Sequence, residues 1–429
     1  MQKNPIRILT SLCLLIAAVA CNSPDGSTSS DLTGSGGNNG AGNPNLGSTP
    51  TSQTCAQMTA GISTDLNGFI PFPADNPWNT RVDNLAADPN STSLISGYNS
   101  RSGKNPYLQG DLGDGYGEPY NVVDSSTQPT QMVSVTGYPD ESDIMPVPLP
   151  NSAGVEGGKP CPSGNDCHMF ILDKNKCWLY ETWLTNYSGG KWSASNMAVW
   201  DMLDTNQRPY GWTSADAAGL PVFPGLVRYD EVARGEINHA IRFTLARSAD
   251  SFVPPASHSA GSNTTDFPMG QRFRLKANFD VSGYSSVDQV ILTAMKKYGI
   301  ILADNGLDLE FAGAVDSRWQ TSDVLALRNV HFTDFEVLPA GTATVRTALP
   351  KGSNPTIASL NASATSVQSG APVTLSWETS NDSWDFIDVI GPVRGNSVTV
   401  TPTATTTYTL KATNAYGRTS KSITVQVLH

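Results

Sequence analysis

His168-Met169-Phe170-Ile171-Leu172-Asp173 and Cys177-Trp178-Leu179-Tyr180-Glu181-Thr182-Trp183-Leu184 are two apolar runs separated by Lys174, Asn175 and Lys176. Short runs rich in aromatic and aliphatic residues, joined by a polar turn, read as a β-hairpin. With Lys174 and Asn175 as a two-residue loop, Asp173 pairs with Lys176 and His168 stands opposite Glu181. Directly opposite side chains share a face, with Cβ atoms roughly 5 Å apart. A one-residue shift of register would send the two to opposite faces. Glu181 also shares its face with Leu179 and Trp183.

Working outward, residues 212–219 suggest a short turn of helix, with Thr213 or Ser214 as cap and Gly219 as stop. Residues 230–235 suggest another, ended by Gly235; Asp230 and Glu231 read there as helix-start charge. Residues 236–245 read as a strand with His239, Ile237, Ile241 and Phe243 on one face and Arg242 on the other. His258 follows in a loop rich in Ser, Gly and Asn, and residues 269–275 form a further strand. One good helix starts at Ser285 or Ser286 and ends at Gly299. Its apolar stripe is Val287, Val290, Ile291, Ala294 and Tyr298. Residues 300–303 and 307–311, around Asn305-Gly306, suggest a second hairpin. The expected fold is mainly β: an antiparallel β-barrel or sandwich over residues 55–339 with one packed helix. The glycines of residues 110–117 lack phosphate-loop spacing and read as a surface loop.

Beyond a linker at 340–353, residues 354–429 alternate with period two, as in Val373-Thr374-Leu375-Ser376-Trp377. Turn residues such as Asn381-Asp382 and Gly395-Asn396 separate the runs, which argues a β-sandwich. Residues 401–410, with Tyr408 near the end, resemble the late strands of bacterial immunoglobulin-like and PKD-like modules. The resemblance implies a sandwich that acts as spacer or weak binder. Leu375 and Leu410 stand roughly where antibody domains carry their disulfide, so this copy lacks one. Trp384 reads as packing, with an exposed carbohydrate platform as the alternative.

At the other end, Lys3 and Arg7 precede an apolar run that closes on Ala18-Val19-Ala20-Cys21. It is too short to span a bilayer as a helix and reads as an export signal over residues 1–20. The ending resembles the lipobox of bacterial lipoproteins, although Ala18 sits where that pattern prefers Leu. The resemblance implies cleavage before Cys21, a palmitate-type lipid anchor on that thiol and attachment to the membrane. Asn22, where an aspartate would retain such a protein at the inner membrane, implies the outer membrane and display in the cell envelope. Residues 21–54 are then a Ser/Gly/Asn-rich tether, with a coil reach of about 30 Å.

The formal net charge is −11 and no Lys/Arg cluster stands out, which argues against nucleic acid as a partner. Of six cysteines, Cys13 leaves with the signal and Cys21 takes the lipid. Cys55, Cys161, Cys167 and Cys177 remain, and two disulfides are expected in an oxidising compartment; the spacing leaves all three connectivities open. A zinc site using His168 beside Cys167 is the alternative.

Only five histidines are present. His168, Glu181, His239 and His258 are the candidate catalytic set, expected to line one cleft. Two chemistries fit those residue types. One is a single divalent metal held by imidazole and carboxylate; the other is general acid–base catalysis of glycan hydrolysis or elimination. No serine-hydrolase elbow, HExxH or phosphate loop appears. Residues 214–221, 225–232, 239–242 and 298–305 also resemble stretches of a set of secreted bacterial proteins, which implies one domain and carries no function over. The expected function is a surface-displayed lipoprotein acting on extracellular polysaccharide as hydrolase or lyase. The alternative is a non-catalytic binder of glycan or protein.

Overall fold

The computed structural model describes residues 54–112 and 117–428. The export signal, Cys21 and nearly all of the tether lie outside the described residues, as does part of the glycine-rich run at 110–117. No helix among the described residues is long and apolar enough to cross a membrane.

The fold is mainly β. A five-stranded sheet runs in the order Gly61–Ile62, Tyr120–Val123, Met169–Asp173, Trp178–Trp183 and Asn196–Asp201. The hairpin at its centre forms, but its register differs by two residues from expectation. Phe170, not His168, faces Glu181, and Asp173 faces Trp178. The loop takes four residues because Cys177 adopts φ +59° and returns its N–H to the carbonyl of Asp173 at 2.9 Å. The Asp173 carboxylate holds the turn by accepting from Asn175 N–H. A slip of two preserves the face, so Glu181 still points to the side of Phe170, Leu172 and Leu179.

A second sheet of six strands runs Phe335–Val337, Arg272–Leu275, Ile300–Asn305, Ile241–Leu245, Glu310–Ala312 and Gln109–Asp111. The main core includes Phe170, Leu172 and Leu179 from the first sheet and Ile241, Phe243, Phe273 and Ile300 from the second. The helix Ser286–Lys297 packs on it through Ile291, Leu292, Ala294 and Met295, capped by the Ser285 hydroxyl. Three local expectations are corrected here. The proposed second hairpin is split, because Ile241–Leu245 inserts between Ile300–Asn305, to which it is parallel, and Glu310–Ala312. Residues 236–240 precede the strand rather than belonging to it. Residues 212–219 form turns, not helix, because Ser214 Oγ accepts from Asp216 N–H and donates to the Leu220 carbonyl.

The far face of the first sheet is also buried. Met169, Ile171, Trp178 and Tyr180 there join Val133, Val147 and Trp192 of a four-stranded sheet and Trp384 and Phe386 from the C-terminal part. Trp384 is therefore packing. The C-terminal sheets, of three and five strands, enclose Val373, Leu375, Trp377, Tyr408, Leu410 and Val425. Arg418 reaches Asp143 at 2.7 Å and Arg394 pairs with Asp201, fastening this sandwich to the rest. The disulfides are Cys55–Cys177 and Cys161–Cys167, with Cα separations of 5.4 and 5.8 Å. That resolves the connectivity and removes the zinc-thiolate alternative.

Candidate functional site

His168 lies immediately before the strand Met169–Asp173, with its ring stacked on Phe170 at 5.9 Å. Its Nε2 is 3.1 Å from the carbonyl of Ala215. A carbonyl oxygen only accepts, so Nε2 carries a proton and donates. Nδ1 then faces two carboxylates, 2.7 Å from Glu156 Oε2 and 3.8 Å from Glu118 Oε2. Glu156 is clamped in return. Its Oε2 accepts from the His168 backbone N–H at 2.9 Å, and its own N–H donates to the His168 carbonyl at 2.9 Å.

Glu118 comes from a different part of the chain. Its N–H donates to the Gly313 carbonyl at 2.8 Å, in an isolated bridge with Ala314. The chain approaches so closely here that a Cβ at Gly117 would lie 2.9 Å from Val315 N. Glu118 is 4 % exposed, and its Oε2 has no hydrogen-bond partner. The three residues each offer a ligand atom, all within 4.8 Å of one another.

Arg242 makes a bidentate pair with Asp216, both bonds at 3.0 Å, and reaches Asp304 at 3.3 Å. Burial pushes Glu118 well above the usual carboxylate range, and the His168 charge only partly offsets it. Burial also opposes the charge on Glu156, but adjacent His168 wins and holds it below that range. Burial alone would lower His168; Glu156 and Glu118 outweigh it and raise the imidazole to about 10. Asp111 is pushed up to about 7 by burial, with Glu310 and Glu156 adding to the effect. Buried carboxyl groups thus crowd around Arg242, which is already committed to Asp216 and Asp304.

The other three sequence candidates have separate partners. Glu181, fully buried, accepts from Trp200 Nε1 at 3.0 Å and from the N–H groups of Val222 and Phe223 at 3.0 and 2.8 Å. Burial raises it to about 7 against the pull of those donors. His239 sits between the Ala240 carbonyl and Glu231, which also pairs with buried Arg228 at 2.6 Å. His258 bonds the Ala217 carbonyl at 2.7 Å. Among the described residues no hydrogen bond or ion pair joins any two of His168, Glu181, His239 and His258. The segment 215–217 is what His168, Arg242 and His258 have in common, since each bonds one of its residues. Glu118 and Glu156 were missed by sequence reasoning; no motif marks them, and only the Gly117-Glu118-Pro119 punctuation before a buried strand singles out the first.

A cavity of about 160 Å³ is the other feature with chemistry. Phe72, Trp78, Trp200, Asn206, Arg208 and Pro221 are among its walls. Trp78 Nε1 and both side-chain amide atoms of Asn206 are withdrawn from solvent without a hydrogen-bond partner. Glu181 fixes the Trp200 indole from behind. No carboxylate or imidazole lines this cavity. A scan against protein-family models and searches of curated proteins and of solved structures found no match.

Proposed function

We propose that this chain is a cell-envelope lipoprotein, anchored through Cys21 at the outer membrane and displayed at the surface, whose β-rich domain acts on extracellular polysaccharide as hydrolase or lyase. The observation that carries the glycan class is the Trp78–Trp200–Asn206 cavity. A sugar ring has apolar C–H faces and hydroxyl edges. Two indoles and a phenyl ring suit the faces, and the polar residues Asn206, Gln207 and Arg208 among the walls suit the edges.

One observation favours the alternative of a non-catalytic glycan binder: no wall of the cavity carries a carboxylate or imidazole. A single experiment separates the two. The full chain is incubated with a panel of envelope and matrix polysaccharides, and both retention and new reducing or unsaturated ends are measured. Retention with product supports the enzyme; retention without product supports the binder. Trp78→Ala and Asn206→Ala should each weaken retention. Absence of both retention and product across the panel overturns the glycan reading. Cys21→Ser should abolish lipid labelling and membrane retention, and unchanged labelling would refute the anchor.

A further inference from the structure

We infer that Glu118, Glu156 and His168 bind one divalent cation of the zinc or manganese type. Three independent features point there. First, the donor atoms come from three separated stretches of chain yet converge within 4.8 Å. Second, the imidazole is oriented as a metal ligand is. A ligating histidine usually gives its far N–H to a carbonyl or carboxylate, which fixes the tautomer and leaves the other nitrogen free to coordinate. Here Nε2 donates to the Ala215 carbonyl, and Nδ1 faces both carboxylates. Third, Glu118 Oε2 is buried and has no partner, in a residue only 4 % exposed. Buried carboxylate oxygens are normally satisfied, and a site that leaves one bare beside another carboxylate calls for a positive charge.

The positive charge nearest the cluster is that of His168, which Glu156 takes up at 2.7 Å, leaving Glu118 Oε2 at 3.8 Å. Arg242 is held bidentately by Asp216. The donor set selects the class of cation. One imidazole nitrogen and two carboxylate oxygens suit zinc or manganese, whereas calcium collects about six to eight oxygens and magnesium keeps most of its water. The backbone is built to hold the ligands in place. Glu118 is pinned to residues 313–315, and Glu156 and His168 exchange backbone contacts. A bound cation would fill the gap between Nδ1 and Glu118 Oε2 and replace the Nδ1–Glu156 hydrogen bond with coordination.

This inference does not rest on the glycan reading. The test uses the full chain, purified in detergent and stripped with a chelator. Zn²⁺ or Mn²⁺ alone is titrated by calorimetry, and thermal unfolding is followed with and without the ion. The expected result is about one equivalent bound and a melting temperature raised by the metal, as ligation to the folded state alone requires. Glu118→Gln keeps the side-chain shape and should lower affinity about tenfold or more, abolishing most of the thermal shift. Glu156→Gln is the second variant and should do the same, so that misfolding of one leaves the other decisive. Co²⁺ loaded into the wild-type chain should give a visible absorption that Zn²⁺ displaces. Absence of stoichiometric binding, or binding unchanged in both glutamine variants, overturns the inference. Calcium binding in preference to zinc and manganese overturns the class of ion. Polysaccharide retention measured on the same stripped protein tells failure of this site from failure of the glycan reading.

Discussion

The two disulfides should differ sharply in what their removal costs. Cys55–Cys177 closes 122 residues of chain, and Cys161–Cys167 closes 6. In the chain-entropy model a cross-link removes about 2.1 + 1.5R ln n cal/mol/K from the unfolded state. That gives about 5 kcal/mol at 25 °C for the long loop and about 2 kcal/mol for the short one. Burial does not separate the two, since each bridge joins a fully buried cysteine, Cys55 or Cys167, to a more exposed one. Cys55 is fully buried in the main core, so Cys55→Ala also leaves a small void there. Cys167 is equally buried in the second cluster, with Cys161 partly exposed at its edge. The assay is urea unfolding followed by tryptophan fluorescence, on the Cys55→Ala/Cys177→Ala and Cys161→Ala/Cys167→Ala double variants. The first should show a loss at least about twice that of the second. Equal losses, or a larger loss from opening the short loop, would refute the reasoning and mean that local strain, not chain entropy, sets the contribution of these bridges.

Glu181→Ala should cost several kcal/mol, because three buried N–H donors, those of Trp200, Val222 and Phe223, lose their acceptor at about 1–3 kcal/mol each; urea unfolding reads it, and a loss under ~1 kcal/mol would show that water replaces the carboxylate. Asp288, near the start of the helix Ser286–Lys297, is raised to about 6 by burial, with hydrogen bonding to Ser285 offsetting only part of this. Its folded pKa lies above the unfolded value of about 3.9, so its contribution is full below that pH and is lost as pH rises toward 6; Asp288→Asn should open a stability gap over wild type on the order of 1–2 kcal/mol between pH 4 and 7, and a gap independent of pH would refute this. Asp143→Ala leaves the guanidinium groups of Arg208 and Arg418 without their shared carboxylate and should cost about 3–5 kcal/mol, with faster proteolysis between the C-terminal sandwich and the rest; an unchanged cleavage rate would show that the apolar contact of Trp384 and Phe386 suffices.

Several C-terminal strands were legible because one face meets solvent; Trp384–Ile387, buried throughout, is the exception. Val373–Ser380 buries every second residue over its first half, and its sequence alternates accordingly. The central strands do not alternate. Met169–Asp173 is buried throughout, because the main core covers one face and the second cluster the other. An apolar run with no period identifies a strand but not its neighbours. That is why the insertion of Ile241–Leu245 between Ile300–Asn305 and Glu310–Ala312 went unread, and why the parallel pairing of Tyr120–Val123 with Met169–Asp173 has no local signature. Turn chemistry misled where one residue left the ordinary regions of backbone space. Cys177 at φ +59° lengthened the hairpin loop, and nothing about a cysteine announces that conformation.

For the site, strand parity placed Glu181 on one face with Leu179, and the main core covers that face. A buried carboxylate must find donors, but parity does not say which. The donors are the backbone N–H groups of Val222 and Phe223, supplied by a turn some forty residues on. His239 followed the same logic to a different end: its need for an acceptor is met by the Ala240 carbonyl and by Glu231, a carboxylate that sequence reasoning had read as helix-start charge. His168 alone stands where its partners leave something unsatisfied. Its carboxylates come from residues 118 and 156, on irregular chain that no periodicity describes, and they meet only because residues 117–118 are drawn against residues 313–315. What marks this cluster as functional is thus a quantity the sequence does not carry: a buried oxygen of Glu118 with no donor, next to an imidazole whose far nitrogen is already committed.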